Sequence, residues 1–80
     1  MPESHALIAR KIVEFLQAER VRRGLSHESL AVAAGVSSSC VRHLERGRST
    51  PTLITLLKIC EAMDINLADL LRKAQRSRKG

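Results

Sequence analysis

The feature that most restricts the fold is a pair of short helical segments, residues 26–34 and 37–46, on either side of Gly35. Glycine adopts the left-handed backbone of a tight turn without steric cost, so a helix is expected to end there. Ser26 and Ser37 stand where a hydroxyl can cap the helix that follows. Helical spacing gives each segment an inward face, formed by Leu30, Ala31 and Ala34 and then by Cys40, Val41 and Leu44. The pattern predicts two helices joined by a tight turn.

The remaining segments also have helical rather than strand patterning. Residues 4–23 carry an apolar stripe, and Gly24 is expected to end that first helix. Gly47 should close the third helix, Pro51 suits the start of a fourth, and Asn66, with Asp69 three residues later, can cap a fifth. The predicted inward residues are Ile8, Ile12, Phe15 and Leu16, then Leu53, Leu56, Ile59, Cys60 and Met63, then Leu67, Leu70 and Leu71. The prediction is an all-α, compact five-helix domain over residues 1–74 with a basic C-terminal tail at 75–80.

The chain is basic, but most of its excess charge lies near the C-terminus. The net charge is +6 over 80 residues, whereas residues 1–71 contain nine Lys and Arg against eight Asp and Glu. The isoelectric point alone is therefore weak support for nucleic-acid binding. Phe15 is the single aromatic residue, which disfavours single-stranded RNA or DNA as a partner, because bases stack on aromatic side chains there.

Metal, redox and catalytic chemistry are poorly supported. Cys40 and Cys60 form no CxxC pair, and the three histidines do not have ligand spacing beside them. We interpret both thiols as small apolar residues. His43 has no acidic residue placed to orient it as a base, so we expect no enzyme, no cofactor and no metal. With no signal peptide and no apolar stretch long enough for a membrane span, we expect a soluble cytoplasmic protein and no membrane partner.

The outward face of the second helix of the pair is polar. Ser38, Ser39, Arg42 and His43 occupy the positions opposite its apolar face. Hydroxyls both donate and accept, His can donate to guanine N7 or O6, and Arg can bind guanine through two hydrogen bonds. Backbone N–H groups at the helix starts can bind phosphates, with charge added by Arg46 and Arg48. These residues predict a helix that enters the major groove of DNA.

The sequence resembles the lambda-repressor-like (Xre/Cro-type) helix-turn-helix DNA-binding family. The matching text is Leu16-x-x-x-Arg20-x-x-Arg23-Gly24-Leu25-Ser26, Leu30-Ala31, Ala34-Gly35-Val36-Ser37, Val41, Leu44-Glu45-Arg46-Gly47, Pro51-x-Leu53-x-Thr55-Leu56-x-Lys58-Ile59 and Leu70-Leu71. It spans residues 7–74. The resemblance implies that Ser38, Ser39 and His43 read bases, that His27 contacts phosphate and braces the reading helix, and that Arg20 pairs with Glu45.

Two departures from the family pattern affect the expected contacts. His27 stands where the family usually has Gln, so its contact could vary with pH. Positions 38 and 39 are both short serines rather than Gln or Arg, which predicts modest direct specificity. Plainer roles remain open: Ser37 as a cap first, Ser38 and Ser39 as solvated residues, Arg42 and His43 as surface side chains, and the Arg20–Glu45 pair as purely structural.

We expect a sequence-specific regulator of transcription that binds double-stranded DNA, either a repressor or an autoregulator, as a homodimer. Ile54 and Leu57 lie off or at the margin of the buried stripe of the fourth helix, and could join the fifth helix in a dimer surface or simply complete the core. The alternative function is an adaptor or antitoxin-like protein that binds another protein through the same fold.

Overall fold

A computed structural model describes residues 2–77, and the side chains of residues 5–76 within them. Five helices follow one another: α1 (Pro2–Arg22), α2 (His27–Ala34), α3 (Ser38–Glu45), α4 (Leu53–Ala62) and α5 (Leu67–Ser77). The described range contains no strand. The all-α, five-helix prediction is confirmed, and the pair flanking Gly35 forms α2 and α3.

Polar side chains cap four of the helices, and three of these caps were predicted. The cap oxygens of Ser26, Ser37 and Asn66 accept hydrogen bonds from backbone N–H groups of the first turn at 2.8–3.2 Å. The fourth cap corrects the expected start of α4. Thr52 Oγ1 accepts from the Thr55 N–H at 3.1 Å, so Pro51 lies one residue before the cap rather than inside the helix. Each cap satisfies a donor that the helix itself leaves unpaired.

A residue with a left-handed backbone follows each of the helices α1 to α4. Gly35 has φ +74°, and the Val36 N–H returns to the Ala31 carbonyl at 3.0 Å, which closes α2. Asp64, with φ +55°, is the left-handed residue that follows α4. No glycine marks that position, but Asp is among the few other residues that tolerate the left-handed region. The sequence pattern therefore missed this turn.

All five helices contribute to one hydrophobic core. Its buried members are Ile12, Val13, Leu16, Leu30, Ala31, Ala34, Val41, Leu44, Ile59, Cys60, Met63, Leu70 and Ala74. Met63 and Ala74 are fully buried. Every buried side-chain nitrogen and oxygen in the described part of the chain has a hydrogen-bond partner, as expected of a well-formed interior.

The predicted inward faces of α4 and α5 need two corrections. Leu53 is 64% exposed rather than buried, because as the first residue of α4 it lies beyond the edge of the core. Leu71, which the prediction placed on the inward face of α5, is also exposed. Ala74 of the same helix is fully buried instead. Helix α5 continues through Ser77. Residues 75–77 of the predicted tail are thus helical, and residues 78–80 lie outside the described range.

The C-terminal turn of α1 carries a small charged cluster. Arg22 and Arg23 both donate to the carboxylate of Glu19. The hydrogen bond from Arg22, with a second from Arg23, lowers the pKa of Glu19 to about 2.

Within residues 2–77, no helix combines the length and the apolar composition that crossing a membrane requires.

Candidate nucleic-acid interface

Helix α3 divides cleanly into a buried and an exposed side. Val41 and Leu44 are buried in the core and Cys40 is half-buried beside them. On the opposite side, Ser39 and His43 are exposed. The structure thus confirms the predicted inward face, and it leaves these two polar side chains open to an external partner.

Ser38 and Arg42 are less exposed than expected because they interact with each other and with α2. Arg42 Nη2 donates to Ser38 Oγ at 3.2 Å, and Arg42 Nη1 donates to Oε2 of Glu28 at 3.2 Å. Both Ser38 and Arg42 are half-buried. The link to Glu28 was not predicted, because the two residues are 14 positions apart and meet only when α2 and α3 pack.

A buried ion pair joins α1 to the end of α3, as the family resemblance implied. Arg20 Nε and Nη2 donate to the two carboxylate oxygens of Glu45 at 2.7 and 2.9 Å. Arg20 Nη1 donates to the Leu25 carbonyl, just before α2, at 2.7 Å. The bidentate geometry is the strong form of an arginine–carboxylate contact. One guanidinium therefore connects α1, the segment before α2 and the last residue of α3.

Sequence reasoning missed a second arginine that holds the same end of α3. Arg10 Nη2 donates to the Glu45 carbonyl at 3.2 Å and Nη1 to the Leu44 carbonyl at 3.5 Å. These carbonyls belong to the last turn of α3, where a cation is favoured by the helix dipole. Arg10 also pairs with Glu14 within α1, with Nε 3.6 Å from Oε2. The contact with α3 spans more than 30 residues and has no sequence signal.

His27, the first residue of α2, also contacts the Glu45 carboxylate. Its Nε2 lies 3.1 Å from Oε1 of Glu45. Because a carboxylate accepts only, Nε2 must carry the hydrogen of this bond. His27 therefore braces α3 through its contact with Glu45. A phosphate contact from the same ring would need a proton on Nδ1, which only the charged imidazolium then has.

The remaining predicted site residues lie at the two ends of α3. Ser37 is exposed, and its hydroxyl accepts from the Cys40 N–H at 3.0 Å. Its capping role is confirmed. Arg46 and Arg48 are exposed in the turn after α3, and the Arg48 N–H donates to the His43 carbonyl at 2.9 Å. The eight predicted residues therefore all lie on α3, at its ends or at the start of α2.

The two cysteines are free thiols. Burial raises the pKa of the Cys60 thiol, which disfavours the reactive thiolate. Within the described residues, no three His, Cys, Asp or Glu side chains are grouped so that they could hold a metal ion.

The chain matches the helix-turn-helix family over residues 16–70. It is 35% identical over 52 residues to y4dJ of Sinorhizobium fredii, an uncharacterized HTH-type transcriptional regulator, covering 65% of this chain and 68% of that protein. The restriction-modification controller protein C.AhdI from Aeromonas hydrophila has a similar structure, with a TM-score of 0.70 and 33% identity over 79% of this chain and 94% of that one. The clp gene regulator ClgR from Corynebacterium glutamicum superposes with a TM-score of 0.77 and 31% identity, covering 89% of this chain and 76% of that one.

The five helices, the braced α3 and these matches define the protein class as a helix-turn-helix DNA-binding domain. Regulators with this fold bind double-stranded DNA. The chain belongs to the helix-turn-helix family and is a DNA-binding transcriptional regulator.

Proposed function

We propose that the protein is a sequence-specific repressor or autoregulator that binds double-stranded DNA as a homodimer and inserts α3 into the major groove. The observation that carries this proposal is the exposed Ser39–His43 face of α3, opposite buried Val41 and Leu44. Arg10 and Arg20 brace the far end of the same helix. A rigid helix with an open polar face is what direct readout of base edges requires.

The predicted site residues divide into two roles under this proposal. Ser38, Ser39, Arg42 and His43 form the base-reading face. Arg46 and Arg48 bind phosphates through their positive charge, and His27 contacts phosphate as well. The backbone N–H groups in the first turn of α3, which Ser37 caps, donate hydrogen bonds to phosphates. Base contacts determine sequence preference, whereas phosphate contacts position the protein and add affinity for any DNA.

The short length of α3 supports a dimer. Its eight residues extend about 12 Å at 1.5 Å per residue, which covers only three or four base pairs at about 3.4 Å each. A second copy related by a twofold axis would double the sequence that is read, with half-sites about 34 Å apart. Ile54 and Leu57 are exposed, by 64% and 49%, and line an open groove with Leu67 of α5. We propose that this groove receives the second copy.

Replacing one base-reading and one phosphate-contacting residue should separate the two roles. We expect His43→Ala to reduce the preference at one base pair by about fivefold, roughly the 1 kcal/mol of a single hydrogen bond. Arg46→Ala should weaken binding to all duplexes and reduce the slope of log affinity against log salt by about one. The measurement is fluorescence anisotropy over a salt series, with a duplex selected from a random pool and its single-base variants.

Val21→Ala, on an exposed side of α1, is the control and should leave both readouts unchanged. If both His43→Ala and Arg46→Ala bind the selected duplex like the wild type, the proposed face of α3 is wrong. Weak, salt-insensitive binding to every duplex, with a protein partner retained at high salt, would instead support the adaptor function.

A charge placed in the α4 groove should disrupt the dimer. We expect Ile54→Glu to sediment as a monomer and to bind the selected duplex at least about tenfold more weakly, since each half-site then binds separately. Val21→Glu places the same charge on an exposed valine of α1 and serves as the matched control. A wild type that is monomeric on its duplex, or an Ile54→Glu variant that stays dimeric, would contradict this interface.

A further inference from the structure

Arg42 is a candidate base-reading side chain that is already held in place by two other residues. Oε2 of Glu28 accepts from Arg42 Nη1, and Ser38 Oγ accepts from Arg42 Nη2, both at 3.2 Å. Glu28 belongs to α2, and Ser38 lies one turn before Arg42 on α3. Contacts from both α2 and α3 therefore restrain the Arg42 guanidinium at the interface between these two helices.

These contacts leave Arg42 able to bind a base. A guanidinium has five N–H donors, of which the two contacts use one each on Nη1 and Nη2. Bidentate recognition of guanine O6 and N7 needs two N–H groups. Three donors remain, so the arginine can keep its protein partners while it contacts a guanine.

Holding the side chain in advance lowers the entropic cost of that contact. A flexible arginine loses rotamer freedom when it binds, and a restrained one has less freedom to lose. We propose that Glu28 is a positioning residue for Arg42, which reads a guanine in the major groove. This inference rests on the proposed function, in which α3 enters that groove.

Glu28 also has an electrostatic effect that acts in the opposite direction. Its side chain is 67% exposed, and Arg42 is 34% exposed. A solvent-exposed carboxylate close to α3 repels DNA phosphates. Removing its charge should therefore increase affinity for any duplex, while the loss of positioning decreases the preference for guanine. If Glu28 had only a structural role in the first turn of α2, removing its charge would not raise the affinity for any duplex while lowering the preference for guanine.

The test uses the whole chain, a duplex selected from a random pool, and the variants of that duplex at its Arg42-dependent base pair. We expect Arg42→Ala to reduce the preference for guanine there by about 5- to 150-fold. Glu28→Gln should reduce it by about 1.5- to 5-fold, the range for an exposed charge pair, and should increase the affinity for an unrelated duplex. In the Arg42→Ala background, Glu28→Gln should cause no further change in base preference.

Asp69→Asn provides the matched control, because it removes one exposed carboxylate that pairs with an arginine, Arg72, outside α2 and α3. It should leave the base preference unchanged, and thermal unfolding confirms that each variant is folded. A guanine preference that stays constant or sharpens in Glu28→Gln overturns the inference, as does an Arg42→Ala variant with the wild-type preference. A wild type without preference at any base pair overturns the proposed function itself.

Discussion

Glu45→Ala should lower the free energy of unfolding by about 3–5 kcal/mol, the usual cost of removing one partner from a buried ion pair. The Arg20 and Glu45 side chains are only 11% and 9% exposed. Without the carboxylate, the Arg20 guanidinium keeps only the Leu25 carbonyl as a partner, and His27 loses its contact with α3. For 80 residues, total stability is on the order of 4–12 kcal/mol, so this one change removes much of it. Urea unfolding followed by circular dichroism measures the loss.

Asp69→Ala is the control for that experiment, because the ion pair of Asp69 with Arg72 is largely exposed and lies away from α3. We expect a loss of no more than about 1 kcal/mol there. The double variant Arg20→Met/Glu45→Ala should be more stable than Glu45→Ala alone, since it no longer buries an uncompensated charge. A Glu45→Ala variant that is as stable as Asp69→Ala would show that the ion pair does not hold α3 in place.

The arrangement of the helices was predictable because local signals mark most of their boundaries. Gly35 and the caps Ser26 and Ser37 define the turn between α2 and α3 through effects that act within a few residues. The apolar spacing of α3 also separates buried Val41 from exposed Ser39. Each of these signals depends on the identity of neighbouring residues, which a sequence shows directly.

The bracing of α3 depends on distant residues, and much of it could not be read from the sequence. Arg10 reaches the carbonyls of α3 only because α1 packs beside that helix, and nothing in its neighbourhood indicates a carbonyl partner. Glu28 meets Arg42 for the same reason. The helix ends gave errors of another kind. Periodicity assigned Leu53 to the core, although this first residue of α4 is 64% exposed.

Ser39→Glu should change fold stability and DNA binding in opposite directions. Ser39 is exposed in the first turn of α3, which has no acidic residue. A carboxylate there interacts favourably with the helix dipole, so we expect the free energy of unfolding to rise by about 0.3–1 kcal/mol. The same carboxylate would face DNA acceptors and phosphates. Like-charge contacts at an interface cost several kcal/mol, so affinity for the selected duplex should fall at least about 100-fold.

Ser39→Gln separates the effect of charge from the effect of side-chain size, because Gln has nearly the same shape as Glu and can still hydrogen-bond to bases. We expect this variant to keep most of the affinity and to prefer a different base. The measurements are anisotropy with the selected duplex and urea unfolding of each variant. Since Ser39→Glu is expected to be at least as stable as the wild type, its loss of binding could not come from unfolding. If instead it bound the duplex as tightly as the wild type, the start of α3 would lie away from the DNA, and the interface would have to be sought on another face.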